Sequence, residues 1–172
     1  MPTNLYFTGV GSRSTPPYVL TTMTKLAYQL AAKGYILRSG AADGADHAFE
    51  LGYINNYTER GLSTLPEIYL PWPKFNNHPS SLWLSSFHIT LQREALDIAR
   101  SIVKHWHNCS IPAKRLHTRN IFQVLGKDLR TPSQFVMCWT PNGKDVGGTR
   151  TAIVLAKQRG IEVINLGAKT KR

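Results

Sequence analysis

Cysteine is nearly absent. Only Cys109 and Cys138 occur in 172 residues, 29 positions apart, so a disulfide framework is not expected and reduced thiols fit a reducing compartment. No apolar run approaches the roughly 18 residues that a membrane-spanning helix requires, so no membrane partner is expected. The opening Met1-Pro2-Thr3-Asn4 leads into an apolar stretch without the basic region, long hydrophobic region and small-residue cleavage site of a secretory signal. A cytoplasmic protein is expected. Internal repeats and low-complexity tracts are missing too. Acidic side chains are scarce, with 10 Asp plus Glu against 21 Lys plus Arg and a formal net charge of +11.

That imbalance favours polyanionic partners. Lys169, Lys171 and Arg172 form a basic tail, expected to fray into solvent. The main concentration lies at 93–130, where Arg93, Arg100, Lys104, Lys114, Arg115, Arg119, Lys127 and Arg130 outnumber Glu94, Asp97 and Asp128. Such a face serves either solubility or the binding of an anionic ligand or nucleic-acid backbone. With 42% hydrophobic and 18% charged residues, the chain has the composition of a globular protein, and its length suits one core. A single Rossmann-like domain over 1–172 is expected, with an elaborated helical segment at about 74–131.

Short β-prone runs alternate with helical periodicity. Residues 5–10 predict a first strand that ends in glycine. Thr15 and Pro16 read as the cap and first position of a helix carrying Val19, Leu20, Met23, Leu26, Ala27 and Leu30 on one face and stopping near Gly34. Further strands are predicted at 35–38, 67–70, 134–139 and 161–166, and further helices from Ala45, at 90–106, at 116–125 and from Thr149 to Gly160. Crossover helices between short apolar strands imply right-handed parallel connections. The expected fold class is therefore α/β: a Rossmann-like open, mostly parallel sheet of about five strands with helices on both faces. The segment at 74–131 exceeds what a crossover needs, so it is expected either to cover a pocket or to mediate assembly into a homo-oligomer.

In such sheets ligands sit beyond the carboxyl ends of the strands, where three small-residue segments fall. These are Gly9 to Arg13 with Gly11, Ser12 and Arg13; Arg38 to Asp46 with Ser39, Gly40, Asp43 and Gly44; and Gly147, Gly148, Thr149 and Arg150. Glycine brings backbone N–H groups close to a ligand, a helix N-terminus favours phosphate, and the arginines can fork onto phosphate oxygens. The same glycines also suit simple βα turns. Asp43, Asp46 and Glu50 share a helical face; they either complement the helix dipole or, for Asp46 and Glu50, bind a ribose hydroxyl or act at a glycosidic carbon as catalytic carboxylates. His117, Arg119, Asn120 and Gln123 are polar positions of the helix at 116–125. Arg119, Asn120, Trp72 and Trp139 are candidate base or backbone contacts, the tryptophans by stacking. His105-x-His107-x-Cys109 has the spacing of no usual metal site, and neither a metal nor a cofactor is expected.

With Gly11-Ser12-Arg13, the loop Arg38-Ser39-Gly40-Ala41-Ala42-Asp43-Gly44-Ala45-Asp46, and Gly148-Thr149-Arg150-Thr151-Ala152 in this order, the chain resembles the Smf/DprA and LOG superfamily of Rossmann-like domains. It looks most similar to the core of the DNA-processing protein A family, in the manner of the stand-alone domains often found in viral genomes. The resemblance implies a phosphorylated nucleotide or single-stranded nucleic acid as partner, or, by likeness to the LOG enzymes, hydrolysis of the N-glycosidic bond of a nucleoside monophosphate. LOG enzymes carry P-G-G-x-G-T-x-x-E, whereas this chain has Ala152 where the glutamate is expected. That departure shifts the expectation toward binding.

Overall fold

Alternation along the strands decides how the layers are built. In β5 (Phe135–Cys138) the side chains of Phe135 and Met137 face one side of the sheet, and those of Val136 and Cys138 face the other. Period-two exposure of apolar groups on both faces requires a helical layer on each. A computed structural model, which describes residues 3–62 and 64–169, supplies them. The basic tail residues Lys171 and Arg172 lie outside the described residues.

The described elements run in the order β1 (Leu5–Gly9), α1 (Pro17–Ala32), β2 (Tyr35–Ser39), α2 (Ala45–Arg60), β3 (Glu67–Leu70), β4 (Leu82–Trp83), α3 (Ile89–Ile102), α4 (Ile111–Leu125), β5, α5 (Arg150–Gln158) and β6 (Glu162–Asn165). The strands form one sheet in the order β4-β3-β2-β1-β5-β6, parallel at every pairing. Helices α1 and α2 cover one face, packing Val19, Met23, Ala27, Phe49 and Tyr53 against Phe7, Leu37 and Met137. Helices α3, α4 and α5 cover the other with Ala95, Ala99, Ile121, Phe122, Ile153 and Leu155. Each fully buried large apolar side chain contributes about 1.5–3 kcal/mol, so this double layer is what holds the strand ends in place.

The structure departs from the sequence-based expectations at several ends. The sheet has six strands, because two residues of β4 pair with Tyr69 and Leu70 at the edge; so short a run carries no periodicity. Helix α1 starts one residue later than expected, with Pro16 as its cap and Pro17 at its first position. The Thr15 hydroxyl instead donates to the Ser12 carbonyl at 2.6 Å. Helix α3 stops at Ile102, and the chain reaches Trp106 through His105 in the left-handed region at φ 56°. Helix α4 begins five residues before the expected 116, where Ser110 accepts from the Ala113 N–H and Pro112 occupies the first turn.

Arg38, which opens the second small-residue segment, is held inside the sheet. It is buried at 2% exposure, donates from Nε to Glu67 at 2.9 Å, and lies 3.7 Å over the Tyr6 ring. Its charge is consumed in holding β2 to β3. Ion pairs also reduce the basic face at 93–130: Arg100 pairs with Asp97, Arg130 with Glu94, and Lys127 with Glu67.

Candidate functional site

Successive strands step outward from β1 in one direction as far as β4, whereas β5 and β6 lie on its other side. The carboxyl ends of β1 and β5 therefore flank the point where the strand order reverses, the usual place for a crevice in open parallel sheets. A cleft of about 500 Å³ opens there, within the range typical of small-molecule sites.

The loop after β1 forms one wall. The Val10 N–H donates to Met137 at 3.1 Å and the Ser12 N–H to Trp139 at 3.4 Å, continuing the sheet past the end of the strand. Gly11 lies against Ala45, whose Cβ would be 2.6 Å from any Cβ at this position. The Ser12 and Ser14 hydroxyls meet at 2.7 Å, and both line the cleft with the exposed Arg13. At the facing wall, Gly147, Gly148 and Thr149 lead into α5. The first N–H groups of a helix lack intrahelical partners and carry partial positive charge.

The loop after β2 forms the floor. Gly44, at φ 82°, turns the chain into α2. Asp46 lies in the first turn of that helix, 4% exposed, and accepts the Ala42 N–H at 3.2 Å while lining the cleft. Burial pushes its carboxyl up to about 6, against the opposing pull of Arg119 and two backbone N–H groups. Asp43 is exposed and also lines the cleft.

Helix α4 closes the remaining side, together with Phe75 and Asn76. Arg119, 4% exposed, donates from Nη1 to the carbonyls of Gly40 and Tyr69 and from Nε to Asn120 at 3.0 Å. Burial lowers it to about 10, with Asp46 opposing that shift. Asn120 donates to the Gly148 carbonyl at 3.1 Å and so ties α4 to the start of α5. His117 meets the Thr151 hydroxyl at 2.8 Å, its pKa lowered by burial and by Arg119. Gln123, 1% exposed, lines the cleft with neither amide atom hydrogen-bonded.

The structure thus brings Gly11, Ser12, Arg13, Asp43, Asp46, Arg119, Asn120, Gly147, Gly148 and Thr149 to one cleft. Gly44 and Gly40 support it from behind. Five other expected residues point elsewhere. The Ser39 hydroxyl donates to the Gly9 carbonyl at 2.6 Å inside the sheet. The Arg150 guanidinium turns to the Ile102 carbonyl at 2.8 Å and fastens α5 to α3. Glu50 pairs with His78 at 2.8 Å and lines a separate cavity with Ile54 and Leu65. Trp72 packs edge-on against Phe75 at 5.2 Å, and Trp139 packs against the α1–α2 layer.

No protein-family model and no curated protein matches the chain. Among solved structures, the chain is similar to DNA processing protein A from Helicobacter pylori. That structure, reported for the protein's single-stranded DNA binding mode, shares 17% identity with this chain, covering 94% of this chain and 75% of that one, with a TM-score of 0.41.

Among the lining residues that were not expected site residues are the polar Ser14, Asn76 and Thr140 and the aromatic Phe75. They come from loops, where no periodic signal marks them. The contribution of α4 was partly visible, because His117, Asn120 and Gln123 recur at three-residue spacing.

Proposed function

We propose that the cleft binds a phosphorylated nucleotide, one nucleotide unit at a time, whether free or within a single strand. The observation that carries this reading is the convergence of the Gly11–Ser14 loop and the Gly147–Thr149 helix start on a single cleft of about 500 Å³. The phosphate sits between Arg13, the serine hydroxyls and the N-terminus of α5, where N–H donors, a positive dipole end and a guanidinium coincide. The sugar lies over the floor near Asp46, and the base lies toward Phe75 and Leu116, the half-buried apolar part of the lining.

Calorimetric titration with the four common nucleoside 5′-monophosphates tests this, and Arg13→Ala and Thr149→Ala should each weaken binding about tenfold. Unchanged affinity in both variants would put the phosphate elsewhere. A single strand held this way exchanges few counterions at the cleft, so its affinity should fall with salt by a slope of only about one to two phosphates.

Asp46 favours a second reading, hydrolysis of the N-glycosidic bond. Its carboxyl, pushed up to about 6, is mostly ionised at neutral pH at the floor of the cleft, where it would stabilise positive charge developing on the sugar. Water oxygen then bonds to C1′, the C1′–N bond breaks, and the bonding pair and a proton leave with the base. Release of free base from a nucleoside monophosphate, abolished in Asp46→Asn, would establish this activity; complete recovery of the intact nucleotide would exclude it.

A further inference from the structure

Three of the four polar side chains that α4 presents to the cleft are already engaged. Arg119 is spent on the Gly40 and Tyr69 carbonyls, Asn120 on Arg119 and the Gly148 carbonyl, and His117 on Thr151. Gln123 differs. Its Oε1 and Nε2 are both buried and both lack a hydrogen-bond partner, although its side chain lines the cleft. The amide is held where it is because Gly40 has no side chain: a Cβ there would collide with both Gln123 Nε2 and Arg119 Nη1.

A buried amide with neither atom paired is unfavourable, and native proteins seldom retain one without a reason. A leucine or methionine would fill the same space without that penalty. The amide offers an acceptor beside a donor, so it matches a ligand group that presents a donor beside an acceptor. A vicinal diol does so, since each hydroxyl both donates and accepts. The floor near Gln123 is the polar part of the cleft, formed by Arg119 and by Ala42, Asp43 and Asp46, with the Gly40 backbone behind it. It offers no flat apolar wall for a base, whereas Phe75 and Leu116 lie at the half-buried side.

From this we infer that Gln123 reads the 2′- and 3′-hydroxyls of a ribose and makes the cleft selective for ribonucleotides over deoxyribonucleotides. The inference rests on the nucleotide reading above and names the substrate class of that same site. Gln123 Nε2 donates to one hydroxyl, Oε1 accepts from its neighbour, and Asp46 remains free to accept a further hydroxyl proton. A 2′-deoxy sugar leaves one amide atom unpaired in the complex, as it is in the free protein.

The test is calorimetric titration of the full chain with AMP, 2′-deoxy-AMP and 3′-deoxy-AMP, followed by the same series on Gln123→Met with its melting temperature. The wild-type protein should prefer AMP to either deoxy nucleotide by about tenfold or more, the effect of losing one hydrogen bond to a buried group. In Gln123→Met that preference should collapse toward unity while the ligand-free protein melts at the wild-type temperature or above. Equal affinity of the wild type for AMP and both deoxy nucleotides would overturn the ribose inference and leave nucleotide binding standing. Retained preference in Gln123→Met, or in Gln123→Leu should the methionine protein not fold, would also overturn it. Absence of binding by every nucleotide would overturn both readings together.

Discussion

Asp46→Asn should make the ligand-free protein more stable, and increasingly so as the pH rises. The carboxyl moves from its ordinary 3.8 in the unfolded chain to about 6 in the fold, chiefly because burial disfavours its charge. The folded protein therefore holds the Asp46 proton more tightly than the unfolded one, and stability from this group is fully present below about pH 4. It is lost as the pH rises to about 6 and stays lost above that. The difference corresponds to about 3 kcal/mol, or roughly 6–12 °C in melting temperature for a chain of this size. Asparagine mimics the neutral carboxyl and keeps an oxygen for the Ala42 N–H, so it avoids the penalty. Melting curves of both proteins at intervals from pH 4 to 8 should diverge across pH 4–6 and then run parallel, with the variant higher. A gap independent of pH, or a variant less stable than wild type at pH 8, would refute the reasoning. A carboxylate retained at such a cost is characteristic of functional sites.

Other perturbations separate the cleft from its supports. Gly40→Ala should destabilise the fold by about 1–3 kcal/mol in denaturant titration, because its Cβ meets the pinned Arg119 guanidinium; wild-type stability would show that the floor is loosely packed. Glu50→Gln should leave nucleotide affinity within about twofold, since Glu50 is bound to His78 outside the cleft, and a large loss by calorimetry would return Glu50 to the site. Arg150→Ala should lower the melting temperature by releasing the Ile102 carbonyl while sparing phosphate affinity, in contrast to Arg13→Ala. Equal loss of ligand in the two arginine variants would contradict the assignment of Arg13 alone to the phosphate.

How far these features could be read from sequence depended on whether a local rule decided them. The glycine-ended strands and the α1 periodicity follow from nearest-neighbour chemistry, and they located β1, β2, β3, β5 and β6 to within a residue or two. The two-residue β4 exists only because Tyr69 and Leu70 offer an edge, which no local pattern announces. Side-chain direction was the harder question. Arg38, Ser39 and Arg150 stand beside cleft residues in sequence, yet they point into the sheet or toward α3, because strand alternation and helical pitch turn adjacent side chains to opposite sides. Asp46 and Glu50 share a helical face one turn apart, yet they line different cavities, because His78 engages Glu50. Helix α4 starts with Ser110 as its cap and Pro112 in its first turn, ahead of the apolar periodicity, which begins only at Leu116.

The most direct test of the central claim is the affinity of the wild-type protein for each common nucleoside 5′-monophosphate against its unphosphorylated nucleoside, measured by calorimetry at fixed salt. A cleft built around phosphate should bind at least one monophosphate about tenfold or more tightly than the matching nucleoside, and Arg13→Ala should erase most of that difference. Equal affinity for each pair, or no binding by any of the eight compounds, would contradict the account.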